Sequence, residues 1–380
     1  MRSQLLSYIA PAAPATRRPA RGGEAFLRPE IGFTPAWYRQ DLAIDFGEAF
    51  HTDPACRRAC LLDMHALLEE RFPGTGIGAG PDGRGEPLDL LTGTFGATVV
   101  AGIYGMEIVF APDQWPTVGG PPLGVEEIDV LEPPDLDRSR FFQGLMDQVD
   151  WIAGHHGPVV GFLNWQGILN NALRLRGQEL FIDLLEEPQR CHRLFTCIGT
   201  TMIDGIKRLQ ARQRATGADY RFATLSNCTV NLVSATCYRD QVRPHDQRIA
   251  AEFDSLGLHN CAWKADPYLD EYAALPNLGY IDMGIDSDLV LARRLFPQAR
   301  RAVMYKPTDL SNKPPEAIRA DLDRIGREFG PCDLVCADIE AGTPDERIHH
   351  LLDCCREISN KCDPGETSPA VHDVTLSRRT

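Results

Sequence analysis

The chain of 380 residues has an apolar share of 43%, a charged share of 24% and a formal net charge of −14 at pH 7. These proportions are those of an ordinary globular protein, and the length suits either one large domain or two smaller ones. The negative charge argues against a nucleic-acid binder, which usually presents a basic face to phosphates, and against attraction to an anionic membrane surface.

Both ends of the chain are polar and are interrupted by Arg and Pro. The start, MRSQLLSYIAPAAPATRRPARGG, lacks the unbroken apolar stretch of a signal peptide, and no window approaches the ~18 consecutive apolar residues of a membrane span. We therefore expect a cytoplasmic protein whose twelve cysteines are mostly reduced thiols. We predict a flexible arm over residues 1–25, a single domain with an N-terminal helical extension over 26–362, and a flexible tail over 363–380.

Short apolar runs alternate with amphipathic stretches from residue 97 to residue 358. Runs that are apolar throughout are typical of strands buried on both faces of a parallel sheet, and their alternation with helices predicts an α/β fold, the (β/α)₈ TIM barrel. We expect the eighth strand within residues 80–96. A doubly wound open sheet is the alternative, although no GxGxxG follows the first strand. The other seven predicted strands are ATVVAGIY (97–104), PVVGFLN (158–164), YRFATLS (220–226), LGLHNCAW (256–263), LGYIDMG (278–284), RRAVMYK (300–306) and CDLVCADI (332–339).

Two potential metal ligands lie at the end of one of these strands. His259 and Cys261 are two positions apart, so alternation along a strand directs both side chains to the same side. Cys336 ends another predicted strand, and the active site of such a barrel lies at the C-terminal ends of its strands. An imidazole and two thiolates would make a three-ligand zinc site whose open fourth position holds a substrate thiolate or water in its ionised form. Cys332 competes for the third place, although it lies at the start of its strand.

Other polar side chains fall at or after the predicted strand ends. Taken alone, each is most often a loop or cap residue that satisfies backbone groups. As a set around one rim, they describe a pocket with amide, carboxylate and aromatic groups for a small polar or aromatic molecule. The predicted substrate-binding residues are Asn164, Trp165, Gln166, Asn227, Asn231, Asp282 and Tyr305.

Three longer motifs resemble a known superfamily. ELFIDLLEEPQRCHRLF (179–195) is similar to its D-x-x-x-x-P pattern before a long helix, and LVSATCYRDQVRPHDQRIAAEFDSLGLHNC (232–261) to its helix leading into the ligand strand. CADIEAGTPDERIHHLLD (336–353) resembles its last strand and Thr-Pro helix start. Together with the His-x-Cys and the distant Cys, they resemble the uroporphyrinogen decarboxylase superfamily. Within it, they resemble the corrinoid-dependent methyltransferases of the methylcobalamin:coenzyme M type.

The resemblance implies a zinc-dependent methyltransferase. Such an enzyme moves a methyl group between a small O-, N- or S-methylated substrate, or a thiol, and a corrinoid (cobalamin) carried by a partner protein. It also implies that His259, Cys261 and Cys336 are catalytic, and that the protein is a homodimer. The spacing from Cys336 to Thr343 is one residue longer than in those methyltransferases, so Asp338 or Glu340 is an alternative third ligand.

Departures from the superfamily pattern bear on two alternative functions. TPAWYRQ (34–40) resembles an N-terminal motif of the decarboxylases, but the Gly-Arg that follows it there has no counterpart at Leu42-Ala43, and a Gly-His-Gly before the last helix is missing. A tetrapyrrole substrate carries many carboxylates, which arginines would have to pair, so a decarboxylase is the less favoured candidate. A barrel that has lost catalysis and only binds a ligand or partner is the third.

Overall fold

A computed structural model of the protein describes residues 19–20, 22–75, 77 and 87–362. The predicted tail and most of the predicted arm lie outside these residues. In the part of the arm that is described, Ala20 and Ala25 are buried. Pro19 lies beside Gly279, where an added Cβ would be 2.8 Å from the proline ring. These last residues of the predicted arm therefore pack against the domain.

Six parallel strands form the central sheet, in the order β1-β8-β7-β6-β5-β4, and β2 and β3 form a separate antiparallel hairpin. The first strand along the chain thus pairs with the last, as it does when a sheet closes into a barrel. The strands are β1 Leu27–Phe33, β2 Glu107–Ala111, β3 Gln114–Gly119, β4 Phe222–Ser226, β5 Ser255–His259, β6 Leu278–Gly284, β7 Arg300–Met304 and β8 Cys332–Ile339.

Helices follow the strands and cover the outer face of the sheet. A π-helical turn, Tyr238–Val242, joins α10 to α11, and short 3₁₀ turns lie at Val230–Leu232 and Asp266–Tyr268. The α-helices are α1 Pro35–Leu42, α2 Glu48–Thr52, α3 Pro54–Arg71, α4 Val99–Ile103, α5 Val125–Asp129, α6 Arg140–His156, α7 Ile168–Arg176, α8 Glu179–Glu186, α9 Pro188–Ala215, α10 Ala235–Cys237, α11 Arg243–Ala250, α12 Leu269–Ala273, α13 Leu289–Leu295, α14 Pro307–Asn312, α15 Pro315–Phe329 and α16 Asp345–Lys361.

Side chains alternate along each strand between the inside of the sheet and its helix-covered outside. In β8, Val335 and Ala337 face inward, where they pack with Tyr280, Ala302 and Met304 of the neighbouring strands. The outward residues of the same strand belong to the large apolar core beneath the helices; they are Cys332, Leu334, Cys336 and Ile339. The inward set is the one that can reach a site inside the barrel.

Three of the eight predicted strand positions differ from the structure. Residues 97–104 contain the short helix α4 rather than a strand, because a run buried on every side is equally compatible with a buried helix. Residues 158–164 form no strand. The strand expected within 80–96 is instead β1, and the described part of that window, 87–96, contains no strand.

Chain order gives the second and third places of the barrel to two irregular segments, residues 87–92 and 158–164. Side-chain hydrogen bonds hold these segments in place of a backbone ladder. The backbone N–H of Phe162 donates to Thr92 Oγ1 over 3.1 Å, and Gln213 Nε2 of α9 donates to the carbonyl of Gly161 over 2.8 Å. Buried backbone groups need partners, and side chains supply some of them here.

Buried charges fill the N-terminal end of the barrel. Arg28 Nε and Arg300 Nε both donate to Oδ1 of Asp333, over 2.8 and 2.7 Å, and Arg28 also contacts Glu30 at 3.1 Å. All four side chains are almost completely buried. Since this end is packed and paired, an open cavity is to be sought at the opposite end, where the strands terminate.

Within the described residues, no helix is long and apolar enough to cross a membrane.

Candidate metal centre and substrate cavity

An open cavity of about 620 Å³ lies at the C-terminal ends of the strands. This size is ordinary for a small-molecule site. Its walls come from the residues that follow successive strand positions, as in other barrels of this type. The lining residues are Ala97, Asn164, Gln166, Asn170, Leu173, Arg174, Cys228, Thr229, His259, Cys261, Ala262, Met304, Tyr305, Pro307, Ala337 and Asp338.

Two adjacent strands end in the same Asn-Cys pair. β4 ends in Ser226 and is followed by Asn227-Cys228, while β5 ends in His259 and is followed by Asn260-Cys261. Ser226 and His259 are register partners in the parallel ladder, so the two cysteines follow at equivalent positions. Neighbouring strands are ~4.8 Å apart, which brings the two thiols close together.

Cys228, His259 and Cys261 form one potential metal-binding group, in which one ligand atom from each residue lies within 4.8 Å of the others. His259 Nε2 is 3.1 Å from Sγ of Cys261. Cys261 has a φ of 55°, in the left-handed region, so the chain turns sharply directly after the strand. Ligands of a tetrahedral zinc ion lie roughly 3.6 Å apart, given Zn–S of ~2.3 Å and Zn–N of ~2.0–2.1 Å. The three donors therefore fit one ion.

Asp282 holds the imidazole of His259 from behind. Its Oδ2 is 2.7 Å from Nδ1 of His259 and also accepts from the Tyr280 hydroxyl at 3.2 Å. Its Oδ1 accepts from the backbone N–H of Asn260 at 2.7 Å. A proton on Nδ1 directed at this carboxylate leaves the lone pair on Nε2, the nitrogen that faces Cys261. Asp282 is fully buried and does not line the cavity, so it is placed to orient the histidine rather than to touch a substrate.

Cys336, the predicted third ligand, is not part of this group. It occupies an outward position of β8, inside the apolar core, one residue out of phase with the inward Val335 and Ala337. Burial raises the pKa of its thiol, which opposes the thiolate form that binds metal. Cys332 is also buried at an outward position, and burial raises its pKa to about 12.

The two carboxylates considered as alternative ligands lie differently. Asp338 lines the cavity and has a φ of 58°, and Glu340 is exposed after the end of β8. Among the described residues, neither belongs to a group of three potential ligands. In the structure, the side chain that lies beside His259 and Cys261 is therefore Cys228.

Three of the predicted substrate-binding residues line the cavity: Asn164, Gln166 and Tyr305. Asn164 Oδ1 accepts from the Ser226 hydroxyl at 3.2 Å, which ties the end of segment 158–164 to β4. The Tyr305 hydroxyl donates to Asp321 of α15 over 2.8 Å, away from the cavity, so only the rest of this side chain can contact a substrate.

The other four predicted substrate-binding residues lie elsewhere. Trp165 packs against α9, where a Cβ on Gly205 would be 2.4 Å from its ring, and Asn231 is exposed in a 3₁₀ turn. Asp282 is behind the histidine, and Asn227 is fully buried. The prediction treated every polar residue near a strand end as inward-facing, whereas alternation directs about half of them away.

Asn227 belongs to a buried network behind the metal centre. Its backbone N–H donates to the His259 carbonyl over 2.7 Å, and its Nδ2 donates to Asp246 Oδ2 over 2.9 Å. The Tyr238 hydroxyl, from the π-helical turn, donates to the same oxygen over 2.9 Å. Burial raises the pKa of Asp246 to about 6. This network supports the loops that carry the three potential ligands.

A family model for uroporphyrinogen decarboxylase (URO-D) matches residues 84–358, which is well over half of the chain. The chain belongs to the URO-D family. The predicted superfamily is therefore confirmed. No curated protein matches the sequence.

Two solved structures are similar to this chain to different degrees. A methyltransferase from Methanosarcina mazei superposes with a TM-score of 0.61 at 17% identity, covering 90% of this chain and 95% of that one. A B12-independent methionine synthase from Shewanella sp. W3-18-1, in complex with selenomethionine, has a TM-score of 0.43 at 14% identity, covering 89% of this chain and 98% of that one. The first likeness confirms the predicted α/β barrel.

The cavity of this URO-D family member contains residues that the sequence analysis missed. Cys228 was readable from the repeated Asn-Cys after two neighbouring strands. Asn170 and Arg174 were readable from their spacing, because residues four apart lie on one face of a helix. Gly167, just before α7, allows the chain to pass close to the end of β4, because a Cβ there would lie 2.5 Å from the Ser226 carbonyl oxygen.

Proposed function

We propose that this URO-D family member is a zinc-dependent methyltransferase that moves a methyl group between a small substrate and a corrinoid carried by a partner protein. The observation that carries the proposal is the Cys228–His259–Cys261 group at the barrel mouth. Two sulfurs and one imidazole favour zinc over magnesium or calcium, which prefer oxygen ligands. Three protein ligands that open onto a cavity are typical of catalytic rather than structural zinc.

Zinc bound there would keep a substrate thiolate ionised or polarise a methylated heteroatom, and the corrinoid would accept or donate the methyl group. The chain's own residues prepare the site for this chemistry. Asp282 fixes the tautomer and ring direction of His259, and the Asn227 backbone holds the strand end that carries it. Met304, Ala262 and Pro307 supply apolar wall that limits water around the reacting atoms.

A corrinoid partner is part of the same proposal. The cavity is open, and the methyl group must reach the metal centre from a second molecule. The Methanosarcina mazei structure with the same fold is a methyltransferase, which supports this class of reaction. A homodimer stays a prediction that light scattering tests. A cytoplasmic location also stays a prediction; it is supported by the twelve cysteines, none of which forms a disulfide in the structure.

A tetrapyrrole decarboxylase is the second candidate, because the matching family model is named for that enzyme. In the described lining of the cavity, Arg174 is the single arginine, which is too few to pair the several carboxylates of a porphyrinogen. A barrel that only binds a ligand would have no use for two thiols and an oriented imidazole at its mouth, and bound metal would separate this third candidate from the first.

The proposed reaction can be tested with free cobalamins. Zinc-loaded protein is incubated with methylcobalamin and a panel of thiols, and separately with cob(I)alamin and O-, N- and S-methylated compounds, with transfer read from the cobalamin spectrum. We expect turnover with at least one pair, and its loss in Cys261→Ser. The matched control Cys336→Ala, a core cysteine, should retain turnover. Decarboxylation of uroporphyrinogen without any methyl transfer would instead establish the second candidate.

A further inference from the structure

A polar row lines the cavity along α7 and the residues just before it. Gln166, Asn170 and Arg174 are spaced by four residues, and all three line the cavity wall. Gln166 Oε1 accepts from Asn170 Nδ2 at 2.7 Å and from Arg174 Nη1 at 3.3 Å, and Arg174 Nη1 also donates to the Asn170 carbonyl at 3.2 Å. Asn170 Oδ1 in turn accepts from the Thr229 hydroxyl at 2.6 Å. The guanidinium is thus held in one place by neutral groups.

Among the described residues, the positive charge of Arg174 has no carboxylate partner. Across the described ranges, every Asp and Glu side chain lies beyond ion-pair distance of its guanidinium, and its hydrogen bonds go to an amide oxygen and a backbone carbonyl. Burial lowers the pKa of this guanidinium, and the Cys228 thiol partly opposes that effect. A half-buried arginine usually pairs with an acid. Here the uncompensated charge faces a cavity that a ligand can enter.

We infer that Arg174 binds an anionic group, such as a carboxylate, on the substrate of the metal centre. A guanidinium presents a fork of N–H donors that matches the two oxygens of such a group, and within the described part of the chain only Nη1 of Arg174 donates a hydrogen bond. The substrate would then carry its anion at the α7 wall and its thiol or methylated heteroatom at Cys228, His259 and Cys261. The reacting end of this assignment rests on the proposed function, whereas the anionic end rests on Arg174 alone.

Two thiols that differ only in charge test the inference: 3-mercaptopropionate and the neutral 3-mercapto-1-propanol. Their binding to zinc-loaded protein is measured by titration calorimetry. We expect the wild type to bind the acid more tightly than the alcohol. Arg174→Gln should lower the affinity for the acid by about 10- to 100-fold and leave the affinity for the alcohol unchanged. Arg174→Lys keeps the charge without the fork and should lie between the two. Arg327→Gln, an exposed arginine on α15, is the control and should behave as wild type.

The same titrations on metal-free protein, read by ligand-detected NMR, separate this inference from the proposed function. If the site does not bind zinc, the preference for the acid should still be present and should still depend on Arg174. Equal affinity of the wild type for the two thiols would overturn the inference. The inference would also be overturned if Arg174→Gln lost affinity equally for the two thiol ligands, or if it lost zinc. The arginine would then serve the metal centre rather than the substrate.

Discussion

Oδ2 of Asp282 lies 2.7 Å from Nδ1 of His259, in the interior of the barrel, on the strand next to the one that ends in the histidine. Asp282 is itself held by the Tyr280 hydroxyl and by the Asn260 backbone N–H. The carboxylate therefore sets both the orientation and the protonation of the imidazole, and with them the direction of the Nε2 lone pair.

Replacing this carboxylate should weaken metal binding without removing a ligand. Asp282→Asn keeps the shape of the side chain but loses the charge that holds the Nδ1 proton, so we expect zinc affinity to fall by about 10- to 100-fold. Competition with a chromophoric chelator measures the affinity, and circular dichroism checks the fold. Asp286→Asn, an exposed carboxylate beside Lys306, is the matched control. An unchanged affinity in Asp282→Asn would show that the pair does not tune the site.

Trp165 is assigned here to packing rather than to substrate binding, and two glycines of α9 test this. A Cβ on Gly205 would lie 2.4 and 2.6 Å from ring atoms of Trp165, whereas a Cβ on Gly199 would meet Ile168 at an ordinary 3.5 Å. Gly205→Ala should lower the free energy of unfolding by about 1–3 kcal/mol through overpacking. Gly199→Ala should raise it by up to about 1 kcal/mol through helix propensity. Denaturant unfolding measures both, and a stabilising Gly205→Ala would contradict the packing of Trp165.

The buried Asp246 should impose a pH dependence on stability. Burial raises its pKa to about 6, above the ~3.9 of an unfolded chain. Between these values, the folded chain keeps a proton that the unfolded chain has released, so Asp246 lowers stability as pH rises through this window. The free energy of unfolding of Asp246→Asn, relative to that of wild type, should therefore rise by up to roughly 3 kcal/mol between pH 4 and pH 7.

Denaturant unfolding at a series of pH values measures this gain for Asp246→Asn. Asp254→Asn, which removes a mostly exposed carboxylate 3.7 Å from Arg221, is the matched control. A constant difference for Asp246→Asn would mean that this carboxyl titrates normally in the folded protein.

Much of the fold could be predicted from the sequence, because continuously apolar runs such as 300–306 and 332–339 are a direct signature of doubly buried parallel strands. The prediction was wrong where that signature has two solutions. Residues 97–104 are apolar on every side and contain the helix α4. The prediction also missed β1, because this strand carries Arg28 and Glu30, whose charges are paired at the N-terminal end of the barrel. Only the folded chain supplies the partners that make such a charged strand possible.

The site was predicted in part for a similar reason. His259 and Cys261 were correctly placed together, since the i, i+2 rule needs only one strand. The third predicted residue, Cys336, lies on a different strand, and its side chain is on the outward side of β8, toward the helices. Which side of the sheet a residue of β8 occupies depends on the register of β8 with β1 and β7, and no short-range sequence pattern encodes that register.

The zinc content of two cysteine variants tests the central claim most directly. Three proteins are purified with added zinc under reducing conditions: wild type, Cys228→Ala and Cys336→Ala. Bound metal is measured by inductively coupled plasma mass spectrometry. We predict about one zinc ion per chain in wild type and in Cys336→Ala, and little zinc in Cys228→Ala, with all three proteins folded. Zinc retained by Cys228→Ala and lost from Cys336→Ala would contradict the account.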